Sequence, residues 1–147
     1  MQENQNTILI VEDNKLGVRI LQEILGGDYK LHIATNGQEG IDMARLLKPD
    51  LIILDVVLPL KDGYDVIKEL KAIPETERIP IIFVTALSHP DDERRGLIMG
   101  GADYINKPYD PTIVKLRVDI QIRMVNLVNT VSTLTDEKAS LEARLNG

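Results

Sequence analysis

Leu51-Ile52-Ile53-Leu54 is an unbroken run of branched apolar residues that ends in a single carboxylate, Asp55, followed by Val56-Val57-Leu58-Pro59. A strand with one face in water alternates apolar and polar residues. A continuous run therefore fits a strand buried on both faces, the kind found in parallel sheets. Asp55 then lies where a buried strand ends. Open parallel sheets bind ligands outside the carboxyl ends of their strands, so the groups that other strands bring to the same edge decide what the chain can do.

Ile8 to Val11 is a second short apolar run, stopping at Glu12-Asp13-Asn14. Ile79 to Val84 ends at Thr85-Ala86, and Ala102 to Ile105 ends at Asn106-Lys107-Pro108. Lys30 to Thr35 alternates, with Leu31 and Ile33 on one face and His32 on the other, as suits a strand nearer the sheet edge. Between the runs, apolar residues recur at helical spacing. Leu16, Ile20, Leu21, Ile24 and Leu25 precede Gly26-Gly27; Ile41, Ala44 and Leu47 precede Pro49; Val66, Ile67 and Leu70 precede Pro74. Asn36-Gly37 reads as a turn pair. Pro90-Asp91-Asp92-Glu93 reads as the first turn of a helix that closes at Gly100-Gly101. Strand and helix alternate throughout. The pattern predicts an α/β domain built on a doubly wound, five-stranded parallel sheet in the flavodoxin-like order 2-1-3-4-5.

A chain of 147 residues holds one such domain and an appendage. Aromatic residues make up only 3%, so the core must be built from Ile, Leu and Val. A net charge of −6, with no basic run, argues against direct binding of nucleic acid, whose phosphates need concentrated Lys and Arg. The absence of cysteine excludes disulfides, thiolate catalysis and thiolate metal sites. No apolar run approaches the roughly 18 residues of a membrane span, and Met1 to Asn6 is polar, so no membrane association and a cytoplasmic location are expected.

On the predicted topology the strands deliver Glu12 and Asp13, Asp55, Thr85 and Lys107 to one edge. Three carboxylates about 5 Å apart repel by roughly 3 kcal/mol per pair at an effective dielectric near 20, which calls for protonation or a cation. The site offers oxygen ligands and no nearby His or Cys, which suits Mg²⁺ better than Zn²⁺. An Asp beside a Lys, a Thr and a divalent ion has the makings of a phosphoryl acceptor. The carboxylate attacks in line while cations and a hydroxyl hold the equatorial oxygens.

The chain resembles the receiver domain of two-component response regulators, with a C-terminal helical extension. The resemblance is carried by Ile10-Val11-Glu12-Asp13-Asn14, Leu54 to Pro59 with Asp62-Gly63, Val84-Thr85-Ala86, and Gly101 to Tyr109, in order over roughly residues 6 to 122. It implies that Asp55 is the phosphoacceptor. Asp13, Asp55 and the Val57 carbonyl would be direct Mg²⁺ ligands, with Glu12 acting through water. Lys107 would pair with the phosphoryl group, Thr85 would turn to hydrogen-bond it, and Tyr104 would be the rotamer switch. The Lys107-Pro108 bond is expected to be cis.

Val57 and Leu87, two residues after Asp55 and Thr85, are both apolar, and are expected to shield an acyl phosphate from water. His32 and His89 read as surface residues. Neither is placed like a phosphodonor.

From Pro111 the chain has no helix breaker for about 35 residues, or roughly 50 Å of helix. A domain of this size is shorter than that, so the last turns must project. Ile113, Ile120, Leu127, Leu134 and Leu141 recur every seven residues, with Arg117, Met124, Val131, Lys138 and Leu145 at the alternating position. That is a coiled-coil seam favouring a left-handed parallel dimer. Val114, Val118 and Val125 form a second stripe that would face the sheet. Residues 1–122 are thus expected to form the receiver domain and 123–147 a projecting coiled-coil linker or dimerisation segment.

The leading functional expectation is a signalling module that takes a phosphoryl group on Asp55 from a sensor histidine kinase or phosphotransfer protein. It would relay the change to a homodimer or to an output domain beyond the helix. It is expected to promote its own phosphotransfer and autodephosphorylation without being an enzyme in the ordinary sense. An aspartate-nucleophile phosphatase is the alternative, disfavoured because its usual second Asp is here Val57. A dimerisation adaptor independent of phosphorylation has no need of three clustered acids.

Overall fold

The computed structural model describes residues 5–86 and 90–146. Strand β1 (Thr7–Val11) leads to helix α1 (Lys15–Leu25), then β2 (Lys30–Ala34) and α2 (Gly37–Leu47). They are followed by β3 (Leu51–Asp55), α3 (Gly63–Ala72), β4 (Ile81–Thr85), α4 (Pro90–Ile98), β5 (Asp103–Asn106) and α5 (Pro111–Asn146). The five strands form one sheet in the order β2-β1-β3-β4-β5, and every pairing is parallel. The doubly wound α/β fold and its strand order are those expected from the sequence.

The apolar runs are continuous because each central strand feeds two cores. Leu9, Val11, Ile52, Leu54, Ile81 and Phe83 pack on one face against Ile41 and Ala44 of α2 and Val66, Ile67 and Leu70 of α3. Ile8, Ile10, Ile53, Ile82 and Val84 pack on the other against Leu21 and Leu25 of α1 and Val114, Val118 and Ile122 of α5. Fully burying each such side chain contributes about 1.5–3 kcal/mol, so the sheet is the main source of stability. β2 lies at the edge, and its alternation reflects that position.

Local signals resolve mostly as expected, with small shifts. Asn36-Gly37 is not a turn pair but the start of α2: Asn36 is the N-cap and its side chain accepts from the Glu39 N–H at 2.8 Å. Asn14 and Asp62 cap α1 and α3 in the same way. β4 begins at Ile81, because Ile79 lies outside the ladder with its carbonyl accepting from Lys71 Nζ. β5 likewise begins one residue later than the apolar run, at Asp103. On α4, Gly96 lies against Phe83: an added Cβ would come within 2.4 Å of the ring.

α5 is one continuous helix of 36 residues. Its last buried side chain is Ile122, Val125 is half-buried, and all described residues from Asn126 on are exposed. Polar contacts tie its first half to the domain. Lys115 pairs with Asp28 at 2.8 Å, the Tyr29 hydroxyl donates to Asp119, and Asn126 pairs with Asn6 just before β1. The helix therefore starts beside the carboxyl ends of the strands and leaves the domain at their amino ends.

Candidate functional site

Asp55 is the last residue of β3, paired with Val84 of β4, and only 3% exposed. Its Oδ1 accepts the backbone N–H of Val57 at 2.9 Å, and its Oδ2 lies 2.8 Å from Lys107 Nζ. Lys107 follows β5, where its own N–H is tied to the Thr85 carbonyl at 2.8 Å. The same ammonium lies 2.9 Å from Glu12 Oε1. Glu12 follows β1, with its N–H bonded to the Ala34 carbonyl, and is 1% exposed. Thr85 ends β4 and is buried, in register with Asn106 of β5.

Sheet topology thus brings Glu12, Asp55, Thr85 and Lys107 to one edge. The expected repulsion between acids is answered here by a cation of the chain itself, since Lys107 bridges Glu12 and Asp55. Burial lowers the Lys107 pKa, but hydrogen bonds and charge from Asp55 and Glu12 outweigh it, and the net shift is upward. Asp13, at the same strand end, is exposed. Among the described residues no three acidic or histidine side chains stand together as a ready metal cluster.

The donor set nevertheless suits a hard cation. Glu12 Oε1 is buried, and the partner it has is the Lys107 ammonium. A buried carboxylate oxygen with a single cationic partner keeps a lone pair that an ion or its water could use. The other ligands expected from the sequence, Asp13, Asp55 and the Val57 carbonyl, would add only oxygens. Val57 itself turns its side chain outward at the rim of the site, 59% exposed. Leu87 and His89 lie outside the described residues, whereas His32 is half-buried on β2.

Tyr104 sits on β5 opposite Phe83, the ring centroids 5.9 Å apart. Its hydroxyl is hydrogen-bonded to Glu93, which is the chief cause of its raised pKa. Arg117 of α5 lies over the ring at 5.3 Å, pairs with Asp103 at 2.7 Å and donates to the Tyr104 carbonyl. The heptad pattern assigns Arg117 to the coiled-coil seam, but in this structure it binds to its own domain.

The seam residues are not part of this edge. Ile120, Leu127, Leu134 and Leu141 lie along α5 at 44%, 64%, 59% and 56% exposure. At 3.6 residues per turn they lie nearly half a turn away from the middle of the buried pair Val114 and Val118. The domain leaves that face open.

Two contributors escaped the sequence reading. Tyr109 follows the Lys107–Pro108 peptide, which is cis, and its hydroxyl donates to Glu12 Oε2 at 3.0 Å. Gly17 on α1 leaves the space that the Glu12 carboxylate fills: a Cβ there would lie 2.1 Å from Oε1. The only available signal for Tyr109 was its place two residues after Lys107. Gly17 had none, since a glycine inside a helical pattern reads only as a weak point.

Comparison with known proteins places the domain in a family. Residues 8–119 match the response regulator receiver domain family. A probable cyclic di-GMP phosphodiesterase of Vibrio cholerae serotype O1 is 36% identical over 120 residues, covering 82% of this chain and 27% of that protein. The response regulator PleD of Caulobacter vibrioides is 38% identical over 112 residues, covering 76% of this chain and 25% of that protein. The chain thus spans about a quarter of the length of these relatives. The receiver domain of a sensor histidine kinase from Pseudomonas aeruginosa PAO1 was solved with a magnesium ion coordinated in its active-site cleft. It superposes with a TM-score of 0.75 at 28% identity, covering 80% of this chain and 98% of that one.

Proposed function

The chain belongs to the response regulator receiver domain family, and on that premise we propose that it accepts a phosphoryl group on Asp55 and passes the resulting change to a partner. The observation that carries this reading is the Lys107 ammonium, 2.8 Å from Asp55 Oδ2 and 2.9 Å from Glu12 Oε1. A lysine in that position stabilises negative charge growing on a group that joins Asp55.

In the proposed reaction an Asp55 carboxylate oxygen attacks phosphorus, an O–P bond forms, and the bond to the donor's leaving nitrogen or oxygen breaks. Lys107 moves its hydrogen bond from the carboxylate to a phosphoryl oxygen. The Val57 N–H holds Asp55 Oδ1, so the other oxygen is the one free to attack once Lys107 shifts. Glu12, Asp13, Asp55 and the Val57 carbonyl would hold Mg²⁺, which when bound neutralises charge on the transferring group. The exposed Val57 side chain would shield the product from water. The donor would be a sensor histidine kinase or a phosphotransfer protein. Thr85 and Tyr104 would report the new charge to the face formed by α4, β5 and α5.

The long helix extends the reading. Its open seam suits a parallel homodimer, and in a longer chain it would join the receiver to an output domain. The relative named a cyclic di-GMP phosphodiesterase illustrates one such output. The test is incubation with Mg²⁺ and a small phosphodonor such as acetyl phosphate, or with fluoroberyllate, followed by light scattering. Formation of a labile adduct together with a shift in the monomer–dimer balance supports the reading; no adduct refutes it.

A further inference from the structure

Glu12 is a buried carboxylate with two differently treated oxygens. Oε2 accepts the Tyr109 hydroxyl at 3.0 Å, whereas Oε1 is turned toward the Lys107 ammonium, 2.9 Å away. The space around Oε1 exists because residue 17 has no side chain, an added Cβ falling 2.1 Å from that atom. The Tyr109 ring packs against the core beneath α1 and α5, a role phenylalanine could fill. Only the hydroxyl reaches the carboxylate. Glutamate has three rotatable side-chain bonds, and a carboxylate that must be found among many rotamers binds more weakly than one already fixed.

We propose that Tyr109 is a positioning residue of the phosphoacceptor site: its hydroxyl, with the bare surface of Gly17, fixes Glu12 so that Oε1 faces Lys107 and the cation that the site would take. The inference rests on the Mg²⁺-dependent reading given above. It assigns Tyr109 no contact with the phosphoryl group. Its effect on cation binding passes entirely through Glu12.

The test is a double-mutant cycle on the full chain, with Mg²⁺ affinity measured by isothermal titration calorimetry. Tyr109→Phe should raise the Mg²⁺ Kd by about threefold to tenfold, the effect of one hydrogen bond. Added to Glu12→Ala, it should change the Kd by less than about twofold, because the group it positions is gone. Gly17→Ala, which displaces Oε1 from the other side, should weaken Mg²⁺ binding without touching Tyr109 and stands in if Tyr109→Phe folds poorly. An unchanged or lower Kd in Tyr109→Phe, or an equal penalty with and without Glu12, overturns the proposal while wild-type binding keeps the underlying reading intact. Wild-type protein that binds no Mg²⁺ overturns both.

Discussion

Lys107 Nζ lies 2.8 Å from Asp55 Oδ2, a contact between residues 52 positions apart that is made only because β3, β4 and β5 end at the same sheet edge. The same ammonium reaches Glu12, so one side chain holds two buried acids together. Replacing it separates its two roles. Lys107→Ala should slow phosphorylation by a small donor by about tenfold or more, because a cation near the transferring group is lost. It should also make Mg²⁺ raise the melting temperature more than in wild type, since the acids then lack their internal counter-charge. Stopped-flow phosphorylation and thermal melts with and without Mg²⁺ measure the two effects. A smaller Mg²⁺ effect on melting in the variant would count against the bridging role.

Alkaline pH should loosen the hold of α5 on the domain. Burial, the hydrogen bond to Asp119 and the charges of Asp119 and Asp28 raise the Tyr29 pKa well above its ordinary value. The unfolded tyrosine ionises near 10 and the folded one does not, so the stabilising contribution is complete below about pH 10 and is lost as pH rises above it. Urea midpoints measured from about pH 8 to about pH 11 should fall in wild type and fall less in Tyr29→Phe. Parallel curves would contradict the assignment.

Gly96 tests the packing of α4. With an added Cβ 2.4 Å from the Phe83 ring, Gly96→Ala must displace a fully buried aromatic residue of β4. Overpacking of that kind costs about 1–3 kcal/mol, against a helix-propensity gain of about 1 kcal/mol. Denaturation should show a net loss of stability. A gain would mean that α4 moves away from the sheet freely.

The sheet was legible in the sequence because burial on both faces removes polar residues from a strand and leaves a continuous apolar run. The acids, Thr85 and Lys107 were legible because each stands where such a run stops. What periodicity does not encode is which cation meets which acid. Lys107 read as a phosphate-pairing residue, and its bridge between Glu12 and Asp55 depends on the path of the loop after β5. Tyr109 and Gly17 were hidden for the same reason: their meaning lies in a contact across 97 residues in one case and in empty space in the other. Asn36-Gly37 misled because asparagine's side chain caps a helix with the same geometry that lets it make a turn. Arg117 fits the heptad spacing yet is bound to Asp103, since spacing does not register a nearby carboxylate.

The open seam on α5 gives a separate test. Leu127, Leu134 and Leu141 contribute nothing to the domain core, so replacing all three by serine should leave the receiver's melting transition in place. Any dimer held by the helix should be lost, which sedimentation equilibrium would register. A variant that dimerises as wild type does would show that another surface pairs the chains.

The most direct test of the central claim is intact-mass analysis and peptide mapping after incubation with Mg²⁺ and acetyl phosphate. The expected result is a hydroxylamine-labile gain of one phosphoryl group on Asp55, abolished in Asp55→Asn. An adduct that persists in Asp55→Asn, or no adduct on wild-type protein with Mg²⁺ present, would contradict it.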